Sequence, residues 1–288
     1  MSAMAMLLRV AYDGTDFHGF ARQDNGGQPL RTIQGCLEQA LSTLYKQPIR
    51  TRGASRTDAG VHARGQLVAF DPPFAIPARG LLLGLAANLP ADIIASAAWL
   101  AEDVEGEPLN PRFHTRGKLY RYRLRPVSLR DPLSARYEWH LPRPIDVAAM
   151  QAAAPRFAGT HDFAGFRASD CQAKSTTRRV RSVIVNVETL AELDPLAGQR
   201  GRIEGPAAPA RVTIDVRGDA FLKNMVRIMV GTLVGVGRGQ FGAERIDEVL
   251  ASGDRTRAGV TAPACGLTLV EVLWPEPWPP SGGRDGDV

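Results

Sequence analysis

Alternating and 3.6-residue spacings of apolar side chains divide the chain into strands and helices in a repeated order. LLRVAYDG (7–14) reads as a strand running into a turn. TIQGCLEQALSTLY (32–45) puts Ile33, Leu37, Ala40, Leu41 and Leu44 on one helical face. QLVAFD (66–71) is a strand, LLLGLAANLP (81–90) a helix stopped by Pro90, and DIIASAAWLAE (92–102) another strand. KLYRYRLRPV (118–127) alternates strictly, with Tyr120, Tyr122 and Leu124 on one face and Arg121, Arg123 and Arg125 on the other. Asp146 is placed to cap a helix that reaches Phe157. RRVRSVIVNVETL and ARVTIDVRGDAFL form a strand pair with Val212, Ile214 and Val216 inward. FLKNMVRIMVGTLVGVG (221–237) is the strongest helix, with Phe221, Met225, Ile228, Met229, Thr232, Leu233 and Val236 as its core stripe. A short helix at 243–251 precedes a closing strand, LTLVEVLW (267–274).

Strands and helices thus occur twice in similar order, with hairpins in place of uniform β-α alternation. The pattern predicts an α+β fold of two similar halves, each an antiparallel sheet with helices packed on one face, meeting along a basic groove. The expected division is 1–105, 106–275 and a tail, 276–288, that is disordered by composition.

Composition narrows the class. The chain has 288 residues, 44% hydrophobic and 23% charged, as in soluble globular proteins. It contains no run of about 18 apolar residues, so no membrane span is expected. MSAMAMLLRVAYDG has no charged region ahead of its apolar part and reads as a strand rather than a signal peptide; with no disulfide framework among its cysteines, a reducing cytoplasm is the expected location. The net charge is +5. Lys46, Lys118, Lys174 and Lys223 are the lysines, and arginine supplies the rest of the 35 basic residues. Arginine's planar fork suits phosphate, which makes nucleic acid a candidate partner.

Metal and nucleotide chemistry find little support. Cys36, Cys171 and Cys265 are far apart, with neither zinc-site spacing nor the look of a disulfide framework. The histidines at 18, 62, 114, 140 and 161 form no i,i+4 pair, and no ligand spacing joins His62 and His161 to Asp13, Asp16 or Asp58. The glycines of VGTLVGVGRG lie within and after a helix rather than before one, so they are not a dinucleotide fingerprint. No metal and no cofactor are expected.

One segment stands apart. RGASRTDAGVHARGQ (52–66) sets Asp58 among Arg52, Arg56 and Arg64 in a stretch too rich in glycine and alanine to pack a core. By itself such an aspartate caps a helix or closes a turn. Likewise Tyr120 and Tyr122 read by pattern as core aromatics, and Arg227, four residues after Lys223, as part of a solvated helix face.

RTDAGVHA resembles the signature of the TruA-type tRNA pseudouridine synthases, and the similarity extends along the chain. YDGTDFHGFARQ, TIQGCLEQAL, NLPADI, FHTRGKLYRYRL, GTHDFAGFRA, FLKNMVRIMVGTLVGVGRG and APACGLTLVEV follow in the family's order. The family commonly has glycine where this chain has Ser55, and an aromatic followed by glutamine where it has Phe20-Ala21. The resemblance implies an isomerase that converts uridine to pseudouridine at positions 38–40 of the tRNA anticodon stem-loop, acting as a homodimer at a basic active-site cleft. It assigns the catalytic role to Asp58 and the pairing cation to Arg227. Tyr120 would act catalytically as well, stacking on the target base and helping to move its C5 proton, and Arg56 would fill the space of the flipped nucleotide. A non-catalytic RNA-binding module would have no use for an aspartate in an arginine-lined loop. A metal-dependent phosphodiesterase would lose activity with a chelator.

Overall fold

The computed structural model describes residues 4–102, 107–188 and 211–275. The boundary expected at 105/106 and the tail at 276–288 lie outside these residues. The described chain forms two compact units. One runs to Lys118 and takes the chain back from Thr268; the other is Leu119–Leu267.

In the first unit, strand β1 (Met4–Tyr12) lies between two antiparallel neighbours. A small hairpin, β2 (Asp24–Asn25) and β3 (Gln28–Pro29), leads to helix α1 (Ile33–Tyr45). Strand β4 (Thr51–Gly53) pairs antiparallel with β5 (His62–Phe70). Helix α2 (Ala78–Asn88) packs against strand β6 (Ile93–Glu102). β5 and β6 flank β1, with Leu7 opposite Ala69 on one side and Trp99 on the other. Ala5 to Leu8 form an unbroken buried run rather than an alternating one, so both faces of the sheet are covered along this stretch. Thr32 caps α1, its Oγ1 accepting from the Gly35 N–H at 3.2 Å. The predicted apolar face follows: Ile33, Leu37, Ala40 and Leu41 are buried and Leu44 is half-buried. Burying this face and the Leu81–Leu85 stripe of α2 supplies roughly 1.5–3 kcal/mol per large side chain.

In the second unit, strand β7 (Gly117–Arg125), which enters it at Leu119, is followed by β8 (Trp139–His140) and helix α3 (Val147–Ala153). Asp146 caps α3 by accepting from the Ala149 N–H at 2.9 Å. Next come β9 (Gly159–Asp162), β10 (Thr177–Glu188) and β11 (Arg211–Gly218). The sheet order here is β7-β11-β10-β9. β10 and β11 pair antiparallel, with Val183 opposite Val216 and Val185 opposite Ile214; Val212, Ile214 and Val216 are fully buried, as the alternation predicts. Arg121 of β7 grips Asp215 of β11 through Nε and Nη2, both at 2.6 Å. Helices α4 (Met225–Gly237) and α5 (Glu244–Ser252) complete the unit.

Two sequence expectations need correcting. The sheet pairing is mixed rather than purely antiparallel. Closing strand β12 (Leu267–Leu273) runs parallel to β5, with Thr268 opposite His62, and β8 runs parallel to β7. A strand that returns after a long excursion is not bound to hairpin geometry, so its direction is open to tertiary packing. The second correction concerns the helix expected over 221–237, which starts at Met225. Asn224 sits in the left-handed region (φ 60, ψ 1), which a right-handed helix cannot include, and Phe221 to Lys223 precede it.

Candidate active site

The turn that carries Asp58 begins where β4 leaves the sheet. Its backbone is fastened at several points. The Thr57 hydroxyl, buried, lies 2.8 Å from that of Tyr12, and the Thr57 carbonyl accepts from the Phe20 N–H at 3.0 Å. The Asp58 carbonyl accepts from the Val61 N–H at 3.1 Å, closing the turn through Gly60 at φ 79. A fully buried side chain, Gln66 of β5, bonds to both the N–H and the carbonyl of Ser55, at 3.1 and 2.6 Å. Gly14 packs so close to Val61 that a Cβ there would run into the Val61 carbonyl. On this frame Asp58 is half-buried and Arg56 exposed.

His62 belongs to the frame. Its buried ring has Nδ1 3.1 Å from the Gly14 N–H and 3.1 Å from Asp13 Oδ1. One protonation state cannot make both bonds: the neutral nitrogen accepts from Gly14, and the protonated one donates to Asp13. Asp13 Oδ1 also accepts from the Thr15 N–H at 3.0 Å and hydroxyl at 2.6 Å.

Tyr120 and Arg227 belong to the second unit. Tyr120 on β7 is 6% exposed, and its ring meets Phe221 edge-on, centroids 5.4 Å apart. Phe221 lies in the segment leading into α4. Tyr122 is fully buried and its hydroxyl donates to the Pro263 carbonyl at 2.7 Å; burial pushes its pKa well above the ordinary tyrosine range. Arg227 stands in the first turn of α4. Its Nε donates to the Ala262 carbonyl at 2.7 Å, and its Nη1 to Asn224 Oδ1 at 2.9 Å. The Ala262 N–H in turn donates to the Arg227 carbonyl at 3.1 Å. Two acceptors therefore fix the plane of the guanidinium, which is what a planar fork needs in order to meet a carboxylate in one orientation. Lys223 does not share a helical face with Arg227: it precedes α4 and pairs with Asp170 at 2.5 Å.

Arg56 and Asp58 therefore share one turn in the first unit, and Tyr120 and Arg227 stand on different elements of the second. Sequence reading missed Tyr12, Thr57, Gln66 and Asn224. Gln66 was detectable as a polar residue in an otherwise apolar strand, and Asn224 as a residue type that tolerates the left-handed region. Among the described residues no three His, Cys, Asp or Glu side chains gather where they could hold a metal ion. No described helix is long and apolar enough to cross a membrane.

A family model described as tRNA pseudouridine synthase matches residues 9–102 and 153–275, ranges that include Asp58 and Arg227. The tRNA pseudouridine synthase A of Pelobacter propionicus is 43% identical over 268 residues, covering 93% of this chain and 98% of that protein. The Myxococcus xanthus protein of the same name is 41% identical over 284 residues, 97% of each chain. The arginine-flanked aspartate turn and the arginine at the start of the buried helix thus belong to a chain matched along nearly its whole length: this protein is a member of the tRNA pseudouridine synthase family, an isomerase family.

Proposed function

We propose that the protein isomerises uridine to pseudouridine at positions 38–40 of the tRNA anticodon stem-loop, with Asp58 as the reacting carboxylate. The reaction breaks the bond between ribose C1′ and N1, turns the freed uracil and joins C1′ to C5, after which C5 gives up its proton and N1 gains one, so that the product is an isomer of the substrate. Positive charge develops at the sugar, so a carboxylate beside it stabilises that charge or attacks it, as in glycoside hydrolysis. Water has no part, because hydrolysis would release the base. One carboxylate therefore suffices. Both addition of Asp58 to the substrate and abstraction of a proton from C2′ fit this role.

The other residues follow from what Asp58 requires. A carboxylate in a closed site stays ionised when a cation pairs with it, and that is the role proposed for Arg227. Tyr120 stacks on the target base. Arg56 occupies the gap left by the extruded nucleotide, offsetting part of an unstacking cost on the order of a few kcal/mol. The protein acts as a homodimer that holds tRNA through arginine–phosphate contacts, with affinity falling steeply as salt rises.

The observation that carries the reading is the RTDAGVHA turn, a half-buried carboxylate on a backbone fastened from several sides in a chain of this family. The test is pseudouridine mapping of unmodified tRNA transcripts incubated with the protein, with and without EDTA. Pseudouridine at 38–40 in both conditions is expected. Modification elsewhere in the tRNA would overturn the substrate assignment, and loss with EDTA restored by a divalent ion would overturn the metal-free mechanism.

A further inference from the structure

We propose that Gln66 is a positioning residue for the Asp58 turn: its side-chain amide takes the place of a rung of the β4–β5 ladder and sets how far Asp58 stands off the sheet. The proposal rests on reading Asp58 as the reacting carboxylate. β4 pairs with β5 through Thr51–Phe70, Arg52–Ala69 and Gly53–Val68, and the Ala54 N–H still donates to the Leu67 carbonyl at 2.8 Å. One residue further, the same register would put Ser55 opposite Gln66. There the Gln66 side chain, rather than its backbone, meets Ser55, its Oε1 accepting from the Ser55 N–H at 3.1 Å and its Nε2 donating to the Ser55 carbonyl at 2.6 Å.

The chemistry selects this residue type. An amide carries an acceptor and a donor on one planar group, matching the N–H and C=O of a single backbone residue. Asparagine has the same group on a stem shorter by about 1.5 Å. An ionised glutamate has two acceptors and would face the Ser55 carbonyl without a donor. The Gln66 side chain is fully buried, so a lost bond is not readily replaced by bulk water. β5 is held on its other side by β1, with Val10 opposite Gln66, so the amide springs from a rigid base. From Ser55 the chain needs three more residues to reach Asp58, and a displaced rung moves the carboxylate with it. The arrangement also accounts for Ser55 standing where the family commonly has glycine: Gln66 engages only the backbone of residue 55.

The experiment compares Gln66→Leu and Gln66→Glu with the unaltered protein and with Asp58→Asn, reading kcat, KM and Kd for a tRNA transcript, each well below the melting temperature of the variant. Gln66→Leu should lower kcat by about a hundredfold, the scale of a misplacement near 1 Å, while tRNA Kd stays within about twofold. Gln66→Glu supplies the sharper signature. A protonated carboxyl offers one acceptor and one donor, as the amide does, and burial favours that form. Its kcat relative to the unaltered protein should therefore be highest at low pH and fall as pH rises. An unchanged kcat in Gln66→Leu, or a pH-independent ratio in Gln66→Glu, overturns the proposal. Should Gln66→Leu fail to fold, the Gln66→Glu ratio decides alone. Full activity in Asp58→Asn would sink the assignment of Asp58 instead, so the two failures are distinguishable.

Discussion

Around Asp58 there is little regular structure, and the backbone is held by buried polar side chains: Tyr12 on Thr57 and Gln66 on Ser55, with the Phe20 N–H on the Thr57 carbonyl. Around Arg227 the backbone is an α-helix that needs no such help, and the hydrogen bonds are made by the candidate side chain itself, which donates to Asn224 and Ala262. A short aspartate has few rotamers, so fastening its turn nearly fixes its carboxylate. A long arginine has many, and a rigid helix leaves its tip undefined until two acceptors hold it. The two regions differ because the side chains they position differ in length.

That contrast can be broken by experiment, and the largest effects should come from the charged groups themselves. Asp58→Asn should reduce turnover at least about a thousandfold while largely sparing tRNA binding, since it deletes the charge that the proposed mechanism uses in the transition state. Arg227→Lys should cost about a hundredfold in kcat, because an ammonium keeps the charge but not the fork that Ala262 and Asn224 hold. If lysine proves as good as arginine, orientation at the helix is irrelevant and the contrast fails. Single-turnover kinetics on a tRNA transcript would show which holds.

Lys118 provides the opposite case, a buried cation whose surroundings disfavour its charge. Desolvation, followed by the nearby Arg112, lowers its pKa to about 8 from 10.5. Between these values the unfolded chain binds more protons, so stability should rise with pH from about 8 and level off above 10.5, by at most on the order of 3 kcal/mol. Lys118→Met should raise the melting temperature at pH 7 and flatten that rise. Thermal melts across the window would expose a fully matched lysine by showing no rise at all.

Each region also contains close backbone approaches. Gly231→Ala would drive a Cβ into the Val260 carbonyl, two residues before Ala262, and Gly14→Ala would drive one into the Val61 carbonyl, three residues after Asp58. Both should cost roughly 1–3 kcal/mol of stability. Gly231→Ala should also lower kcat by shifting an acceptor of Arg227. A Gly231→Ala protein with unchanged kcat and lowered stability would mean that Ala262 does not position the guanidinium. The smallest effect is expected of Tyr12→Phe, which removes one of the fastenings at Thr57: about 1 kcal/mol of stability. A change several times larger, read from urea denaturation, would mean that this bond dominates the frame.

Local pattern determined a good deal of this protein. The amphipathic face of α1, the alternation that buries Val212, Ile214 and Val216, the Thr32 and Asp146 caps and the turn at Asp58 all follow from residues a few positions apart, and short-range geometry suffices to place them. Tertiary structure decided what depends on residues distant in sequence. β12 runs parallel to β5 because no hairpin constrains a strand returning from so far along the chain. α4 starts at Met225 because Asn224 turns left-handed and spends its side chain on Arg227, a choice that periodicity does not record. The bonds that orient the candidate residues, Gln66 to Ser55, Tyr12 to Thr57 and Ala262 to Arg227, join positions 11, 45 and 35 apart. A sequence motif can name the charged residue, but the atoms that hold it still come from wherever the fold brings a donor or acceptor within about 3 Å.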